Sequence, residues 1–403
     1  MKLLIKNIGQ LATPLGSAPC AEPRVELLRD AWVLAEDDEI VGVGTGRAPE
    51  IDGKVMDADG CLVTPGLVDA HTHLVFGGWR EHELAMKRKG VPYLEILAQG
   101  GGILSTVAAT RKASEEELLK KAKDALQQML HLGVTTCEAK SGYGLDRENE
   151  LKQLHVMQKL KKLQPVDLVC TYLGAHALPP EFKDDREDYL RLMENLLPEI
   201  AEEGLAEFCD VFCETGVFTA AEAERILTAA QKAGLKAKMH ADEIDAIGGT
   251  EVAGSIGAVS VEHLIAATDE GIEAMHRSGT VAVLLPATSF YLNKPYARAR
   301  DMISAGVPVA VATDYNPGSC PSLNLQLAMN LACWNYNLSP EEVLAAVTLN
   351  AAGALCRADK IGSVEAGKQA DLVLWNAPNL DYIFYRFGEN LVNTVIKGGK
   401  TAV

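Results

Sequence analysis

Short apolar runs alternate with amphipathic helical patterns through the middle of the chain. Residues 114–133, SEEELLKKAKDALQQMLHLG, repeat apolar positions at helical spacing, begin with a Ser-x-x-Glu capping box and end at a glycine. The strand-like run VTTCEAK follows directly. Residues 219–234 and 339–356 begin with the same box, and Pro340 stands at the first helical position of the latter. The pattern predicts repeated β/α units.

Eight apolar runs between the helical patterns are candidate barrel strands: LVTPGLVDAHTH, VTTCEAK, VDLVCTYLGAH, EFCDVFCE, LKAKMHADE, AVSVEH, TVAVLLP and VPVAVATD. Near-continuous apolar runs of this kind indicate parallel strands that are buried on both faces. Their number and spacing predict an α/β fold, a (β/α)8 TIM-type barrel over residues 62–360. The other doubly wound folds are the alternative, but no Gly-rich dinucleotide loop follows the first strand.

The two ends of the chain carry a different pattern, in which short strands are broken by glycine and aspartate. We expect residues 1–61 and 361–403 to combine into a small β-sandwich domain beside the barrel.

Composition narrows the class of protein. A net charge of −17 argues against a nucleic-acid binder, which would need a basic face. No apolar run is long enough for a membrane span, and the first residues lack a signal-peptide pattern. Nine scattered cysteines without a Cys-x-x-Cys pair do not indicate a disulfide framework. We therefore expect a cytoplasmic protein, with a homodimer as the expectation from base rates.

Polar side chains collect where the predicted barrel strands end, which is where barrels of this type carry their active sites. An isolated His-x-His is more often a pair of buried structural histidines. Here five of the nine histidines end a predicted strand. The strand-end residues are His71, His73, Lys140, His176, Glu214, His240, His263 and Asp314.

Imidazole and carboxylate groups in this arrangement predict a metal centre. Such ligands suit one divalent ion per chain, zinc or iron. We assign His71, His73, His240 and Asp314 as its ligands. Water bound to such an ion becomes a nucleophile near neutral pH.

Six motifs in order carry a resemblance that spans nearly the whole chain: DAHTHLVFGGWREHE, EAKSGYGL, LGAHALP, MHADE, VEHL and TDYNPGS. The chain resembles the amidohydrolase superfamily and, more narrowly, its imidazolonepropionase family. The resemblance implies a metal-dependent hydrolase that opens the cyclic C–N bond of 4-imidazolone-5-propanoate. The product would be N-formimidoyl-L-glutamate, an intermediate of histidine degradation.

The resemblance also implies catalytic residues. Glu243 would act as the proton shuttle, although from the residues alone Asp242 and Asp245 are rivals. His263 would orient the attacking water, with metal ligation as its alternative. Substrate contacts are expected from Arg80, Tyr143, His176, Glu243, Asn316, Gly318 and Ser319.

The sequence alone leaves the partner of Arg80 open. A guanidinium in the loop after the first strand can fork onto the propanoate carboxylate, and the alternative is a surface arginine that pairs with Glu81 or Glu83. Some relatives bridge two metals with a carboxylated lysine that ends the fourth strand. Glu214 stands there in this chain, so we expect one metal, with Lys140 as a hydrogen-bonding or structural cation.

Two other functions remain possible at this stage. Another cyclic amide hydrolase or deaminase of the same superfamily would keep the metal residues but would not need Arg80, Tyr143 and Asn316 together. A barrel that has lost turnover and serves as a binding module would be expected to lack ligands or the proton shuttle. Every one of those candidates is present in this chain.

Overall fold

The structure, a computed structural model, describes residues 1–91 and 101–403. The two ends of the chain form one mixed eight-stranded sheet. Its N-terminal strands are β1 (Lys2–Pro14), β2 (Val25–Glu36), β3 (Glu39–Thr45), β4 (Lys54–Asp57) and β5 (Leu62–Pro65). Its C-terminal strands are β14 (Leu372–Trp375), β15 (Val392–Lys397) and β16 (Lys400–Thr401).

The terminal sheet joins the chain ends through β5, which pairs parallel to β1 and antiparallel to β14. It has a hydrophobic core of its own, to which strands from both ends contribute, including Ile5, Val33 and Leu372. The expected association of the two ends is therefore confirmed.

The barrel consists of eight parallel strands that pair in chain order. They are β6 (Leu67–Asp69), β7 (Val134–Lys140), β8 (Asp167–Ala175), β9 (Phe208–Cys213), β10 (Lys236–Ala241), β11 (Ser260–His263), β12 (Val281–Leu284) and β13 (Val309–Val311). This architecture confirms the predicted (β/α)8 barrel with its small flanking β domain.

The barrel closes just beyond β6 and β13. The backbone N–H of Asp314 donates to the carbonyl of His71 at 3.0 Å, and that of His73 donates to Tyr315 at 2.9 Å. A parallel bridge between Thr72 and Tyr315 completes the seam. The closing seam therefore places three of the four predicted metal ligands side by side.

Helices surround the barrel and pack on its strands. The described residues include α1 (Leu84–Arg88), α2 (Ile103–Lys112), α3 (Glu115–His131), α4 (Arg147–Leu160), α5 (Arg186–Glu202), α6 (Ala220–Lys232), α7 (Gly249–Ser255), α8 (Asp269–Ser278), α9 (Pro286–Leu292), α10 (Ala299–Ser304), α11 (Leu325–Asn335), α12 (Pro340–Ala346), α13 (Leu349–Ala354) and α14 (Leu380–Tyr385), with 3-10 turns at Glu81–Glu83 and Pro180–Phe182. None of them has the length and apolar character that crossing a bilayer requires.

The three predicted capping boxes are present, at Ser114, Thr219 and Ser339. The predicted helix over 339–356 is wrong in one respect, since it is divided into α12 and α13. The carbonyl of Val347 accepts from the backbone N–H of Val68 in the barrel at 2.8 Å. A tertiary hydrogen bond thus replaces a helical one at the break.

The first predicted barrel strand, residues 62–73, also differs from the observed structure. Its first part is β5 of the terminal sheet, and the barrel strand itself spans Leu67–Asp69. Gly66 lies between the two strands against Thr135, where a Cβ would collide with that side chain. The division of the chain into 1–61 with 361–403 and 62–360 stays a prediction, with β5 lying on the terminal side.

Candidate active site

The four predicted metal ligands converge at the C-terminal end of the barrel. Ligand nitrogens of His71, His73 and His240 all lie within 4.8 Å of one another, and all three side chains are buried. The Nε2 atoms of His71 and His73 each lie 3.5 Å from Oδ1 of Asp314. Three imidazoles and one carboxylate therefore face a common point.

The electrostatics of this cluster suit a cation. Neither ring nitrogen of His71 has a hydrogen-bond partner within 1–91 and 101–403. Burial and the charge of Lys140 lower the pKa of His71 well below its usual value, and burial with neighbouring His176 does the same for the pKa of His73. A buried ring nitrogen whose lone pair has no hydrogen-bond donor lowers the stability of the fold. A bound cation that accepts this lone pair removes that cost. The chemistry of these residues thus fits a divalent metal ion.

Behind this site, Asp210 fixes His240. Its Oδ2 lies 2.9 Å from Nδ1 of His240, and its Oδ1 accepts from the backbone N–H of His240 at 3.1 Å. Lys140 donates to the same carboxylate at 2.8 Å. Burial alone would raise the pKa of Asp210, but His240 and Lys140 hold that pKa well below its usual value. The carboxylate is therefore charged and lies next to the ring.

Further charges fill the barrel interior beneath Asp210. Glu138 lies 2.9 Å from Lys140 and 2.8 Å from Lys238, which in turn lies 3.6 Å from Glu262. All of these side chains are fully buried. Burial would lower the pKa of Lys140, but the surrounding carboxylates raise it above its usual value. Lys140 is therefore an ion-paired structural cation, as the sequence indicated.

Glu243 lies at the edge of the metal site. Its Oε2 is 3.7 Å from Nε2 of His263, and burial raises the pKa of its carboxyl. Its two rivals lie elsewhere: Asp242 accepts from Thr250 at 2.6 Å, and Asp245 is exposed. Among these three neighbouring carboxylates, Glu243 is the one in contact with another candidate catalytic residue.

Glu214 supports the loop that carries Glu243. Its carboxylate accepts the backbone N–H groups of Thr215, Ile244 and Asp245 at 2.7, 2.8 and 3.1 Å. The residue that ends the fourth strand thus organises the backbone around the candidate proton shuttle.

His176 stacks on His73, with ring centroids 4.9 Å apart and planes 15° apart. Its Nδ1 lies 3.0 Å from the carbonyl of Gly142, so Nδ1 must be the donor. Burial lowers the pKa of His176 to about 3, which makes the ring neutral near pH 7. Its Nε2 is therefore a hydrogen-bond acceptor.

The loop that contains Tyr143 is held by α4. Glu150 accepts the backbone N–H groups of Gly142 and Gly144, and Gln153 accepts that of Tyr143 at 3.1 Å. The ring of Tyr143 lies 5.3 Å from that of His176. Two predicted substrate contacts are thus neighbours.

The side chain of Arg80 is 8% exposed and ion-paired. Its Nε and Nη2 donate to the two carboxylate oxygens of Glu83 at 2.9 and 3.1 Å. Its Nη1 lies against Gly318, where a Cβ would collide with the guanidinium. The structure therefore shows the Glu83 pairing foreseen as an alternative, and it also brings Arg80 to a predicted substrate-contacting turn.

That turn is organised by Asn316. Its Nδ2 donates to Oδ1 of Asp314 at 2.9 Å and to Oγ of Ser319 at 2.8 Å, while its Oδ1 accepts from the backbone of Gly318 and Ser319. Thr288 donates to the other oxygen of Asp314 at 2.6 Å. The predicted residues of this turn are thus hydrogen-bonded to a predicted metal ligand.

Two residues of the site have strained backbones. His263 has a φ of 74° and Asp314 a φ of 56°, both in the left-handed region that non-glycine residues avoid. Strain of this kind is typical of functional sites, where the surrounding structure enforces it.

Residues 62–402 match the Amidohydrolase family. The chain belongs to this family. An imidazolonepropionase from Alkaliphilus metalliredigens is 52% identical to it over 100% of this chain and 98% of its own length. One from Treponema denticola is 56% identical over 92% of this chain and 91% of its own. The resemblance inferred from the six motifs is confirmed.

Solved structures with the same architecture allow the fold of this chain to be compared as well. A triazine hydrolase variant superposes with a TM-score of 0.77 at 18% identity, covering 99% of this chain and 94% of its own. An adenosine deaminase from Xanthomonas campestris with bound zinc gives a TM-score of 0.73 at 21% identity, covering 99% and 92%. At such identities the likeness concerns the fold alone.

Sequence inspection missed several residues of this amidohydrolase site. They are Glu138, Asp210, Lys238, Glu262 and Thr288. A signal was present for four of them, because a charged residue inside a strand that is buried on both faces needs a partner. Thr288 carried no such signal, since it belongs to a helical turn with ordinary polar composition.

Proposed function

We propose that this chain hydrolyses the cyclic C–N bond of 4-imidazolone-5-propanoate to give N-formimidoyl-L-glutamate. The observation that carries this proposal is the 52% identity to an imidazolonepropionase over the whole chain, combined with the convergence of the candidate residues. It is a metal-dependent hydrolase of a cyclic amide.

We assign one divalent ion, zinc or iron, to His71, His73, His240 and Asp314. When bound there, the ion would supply Lewis-acid activation of water near neutral pH. Three histidine nitrogens and one carboxylate oxygen, each 3.5 Å or less from a neighbour in the set, support four protein ligands.

Glu243 would move the proton. Hydrolysis forms a bond between the water oxygen and the ring carbonyl carbon and breaks the bond from that carbon to the ring nitrogen. Glu243 accepts a proton from the attacking water and returns it to the departing nitrogen. His263, 3.7 Å from Glu243, orients the water. Its pKa is lowered to about 3 by burial, which keeps it neutral in this step.

The substrate ring would lie against His176 and Tyr143. Because Nδ1 of His176 donates to Gly142, its Nε2 can accept an N–H of the imidazolone ring.

The propanoate would lie between Arg80 and the closing turn. Glu83 binds the Nε and Nη2 atoms of Arg80, so the Nη1–Nη2 edge is only partly occupied. The N–H groups along such an edge can donate to both oxygens of a carboxylate. Asn316, the backbone of Gly318 and Ser319 border this position and would complete the substrate contacts.

Ring opening can be followed by the loss of ultraviolet absorbance of 4-imidazolone-5-propanoate, with the wild type and Arg80→Ala. Turnover that collapses in the variant, at unchanged metal content, is the expected result. A wild type that binds metal but leaves this substrate intact would refute the proposal and direct the search to other small cyclic amides or deaminase substrates.

The cytoplasmic location and the homodimeric state predicted from the sequence remain proposals. Analytical ultracentrifugation of the metal-loaded protein tests the second, with a species of about twice the 43.2 kDa chain mass as the expected result.

A further inference from the structure

Among the described residues, side-chain hydrogen bonds hold Arg80 along one edge of its guanidinium. The Nε and Nη2 atoms form a bidentate pair with Glu83, whereas Nη1 lies at Gly318 on the side of the closing turn. A bidentate pair fixes the plane of the guanidinium as well as its position. The direction in which the remaining edge of Arg80 points is therefore set by Glu83.

Glu83 is itself anchored from three directions. Its carboxylate also accepts the backbone N–H of Gly102 at 2.7 Å, at the start of α2, and lies 3.2 Å from Nζ of Lys87. The side chain is fully buried. Burial alone would raise the pKa of Glu83, but the hydrogen bonds from Arg80 hold it below its usual value.

Lys87 connects Glu83 to the turn that contains Gly318. Its Nζ donates to the carbonyl of Gly318 at 2.7 Å. Arg80 and Lys87, the two cations that pair with Glu83, therefore both lie at Gly318 in the substrate-contacting turn. Two cations and one carboxylate leave one net positive charge. The propanoate of the proposed substrate carries one negative charge.

We propose that Glu83 is a positioning and specificity-determining residue for the substrate carboxylate. It aims the free edge of Arg80 at the position beside Gly318 and holds the net charge of the Arg80–Glu83–Lys87 cluster at plus one. This inference rests on the proposed function, since it concerns the same substrate.

The test compares two substrates in wild type, Glu83→Gln and Glu83→Asp. The first substrate is 4-imidazolone-5-propanoate, and the second is its neutral propanamide. Glu83→Gln removes the charge at constant size, and Glu83→Asp keeps the charge but retracts it by one methylene. Glu81→Gln, a neighbouring exposed carboxylate, is the matched control. Metal content and the thermal midpoint are measured for every variant.

We expect both Glu83 variants to raise KM for the acid by about thirtyfold or more, as loss of one partner of a buried charge pair does. The kcat should stay within about threefold, because binding of the reacting ring is unchanged. KM for the amide should not change, so the variants should lose the wild-type preference for the acid over the amide. Glu81→Gln should match the wild type.

Three results would overturn the inference. A lower KM for the acid in Glu83→Gln would mean that added positive charge outweighs positioning. An equal rise in KM for both substrates, or a loss of kcat alone, would mean a structural function only. If Glu83→Gln folds poorly, Glu83→Asp decides alone. A wild type without turnover of the acid would instead refute the proposed function.

Discussion

The Nδ1 atom of His240 lies 2.9 Å from Oδ2 of Asp210, directly behind the cluster of candidate metal ligands. The carboxylate also accepts from the His240 backbone and from Lys140, so it is fixed from three sides. A charged acceptor at Nδ1 keeps the proton there and leaves the Nε2 lone pair directed at the metal position.

Asp210→Asn should therefore weaken metal affinity by about tenfold to a hundredfold, the usual effect of removing such a partner. Competition with a calibrated chelator on the metal-depleted protein measures this constant without reference to turnover. Asp245→Asn, an exposed carboxylate in the loop after β10, is the control and should leave affinity unchanged. Equal affinity in Asp210→Asn would contradict the orienting function.

Glu243→Gln should lower kcat by about a hundredfold to ten-thousandfold, since an amide cannot accept the proton of the attacking water. Metal content should be unchanged, because Glu243 lies outside the four-ligand cluster. Steady-state kinetics together with metal analysis checks both statements. A variant that keeps turnover would return Asp242 to consideration, despite its hydrogen bond to Thr250.

The barrel and its ligand cluster could be predicted because both depend on local patterns. Parallel strands that are buried on both faces are nearly continuous apolar runs, and their C-terminal ends meet at one face of a barrel. His71, His240 and Asp314 could therefore be placed together from strand order alone. The capping boxes at Ser114 and Thr219 were equally local signals.

What the sequence did not reveal depends on partners distant along the chain. Asp210 reaches Lys140 across 70 residues, and Lys238 reaches Glu138 across 100. The break between α12 and α13 depends on a hydrogen bond from Val68, far away in sequence. Three-dimensional contacts of this kind override local propensity, and no periodicity encodes them.

Removal of the metal should abolish activity and also lower the thermal midpoint. Without an ion, the buried nitrogens of His71 and the carboxylate of Asp314 lose the group that compensates their burial. An ion present at a hundred times its dissociation constant stabilises the folded state by about 2.7 kcal/mol. Calorimetry before and after dialysis against a chelator measures the shift.

Return of zinc or iron separately should restore both properties, and the more active form identifies the preferred ion. His131→Gln, a helical histidine remote from the cluster, is the control for nonspecific metal effects. A midpoint that does not respond to the chelator would argue against a metal buried at these four residues.

Gly318→Ala should raise KM for the acid substrate by about tenfold or more, because the new methyl group occupies the position of the Arg80 guanidinium. The collision displaces Arg80 without removing its charge, so it tests position alone. Gly216→Ala lies in open space and serves as a control for glycine replacement, although its φ of 80° lowers stability. Unchanged KM in Gly318→Ala would place the propanoate elsewhere.

The ion pair between Arg186 and Glu222 should make stability depend on pH outside the active site. Arg186 donates to both oxygens of Glu222, which also closes the capping box of α6. These hydrogen bonds from Arg186, partly offset by burial, lower the pKa of Glu222 to about 2. The folded pKa lies below the unfolded one, so the stabilisation is complete above pH 4.5 and is lost as the pH falls toward 2.

Glu222→Gln should lower the free energy of unfolding by about 2 kcal/mol at pH 7. Denaturant titrations at pH 7 and pH 3.5 measure the difference from wild type. This difference should shrink at the lower pH because Glu222 is protonated in the unfolded chain there, while it is still ionised in the folded protein. Glu117→Gln is the comparison, because it removes the carboxylate charge from the capping box at Ser114, where no arginine among the described residues donates to the glutamate. It should therefore lower the free energy of unfolding by less at pH 7. Equal effects of the two variants would show that Arg186 adds nothing to the cap.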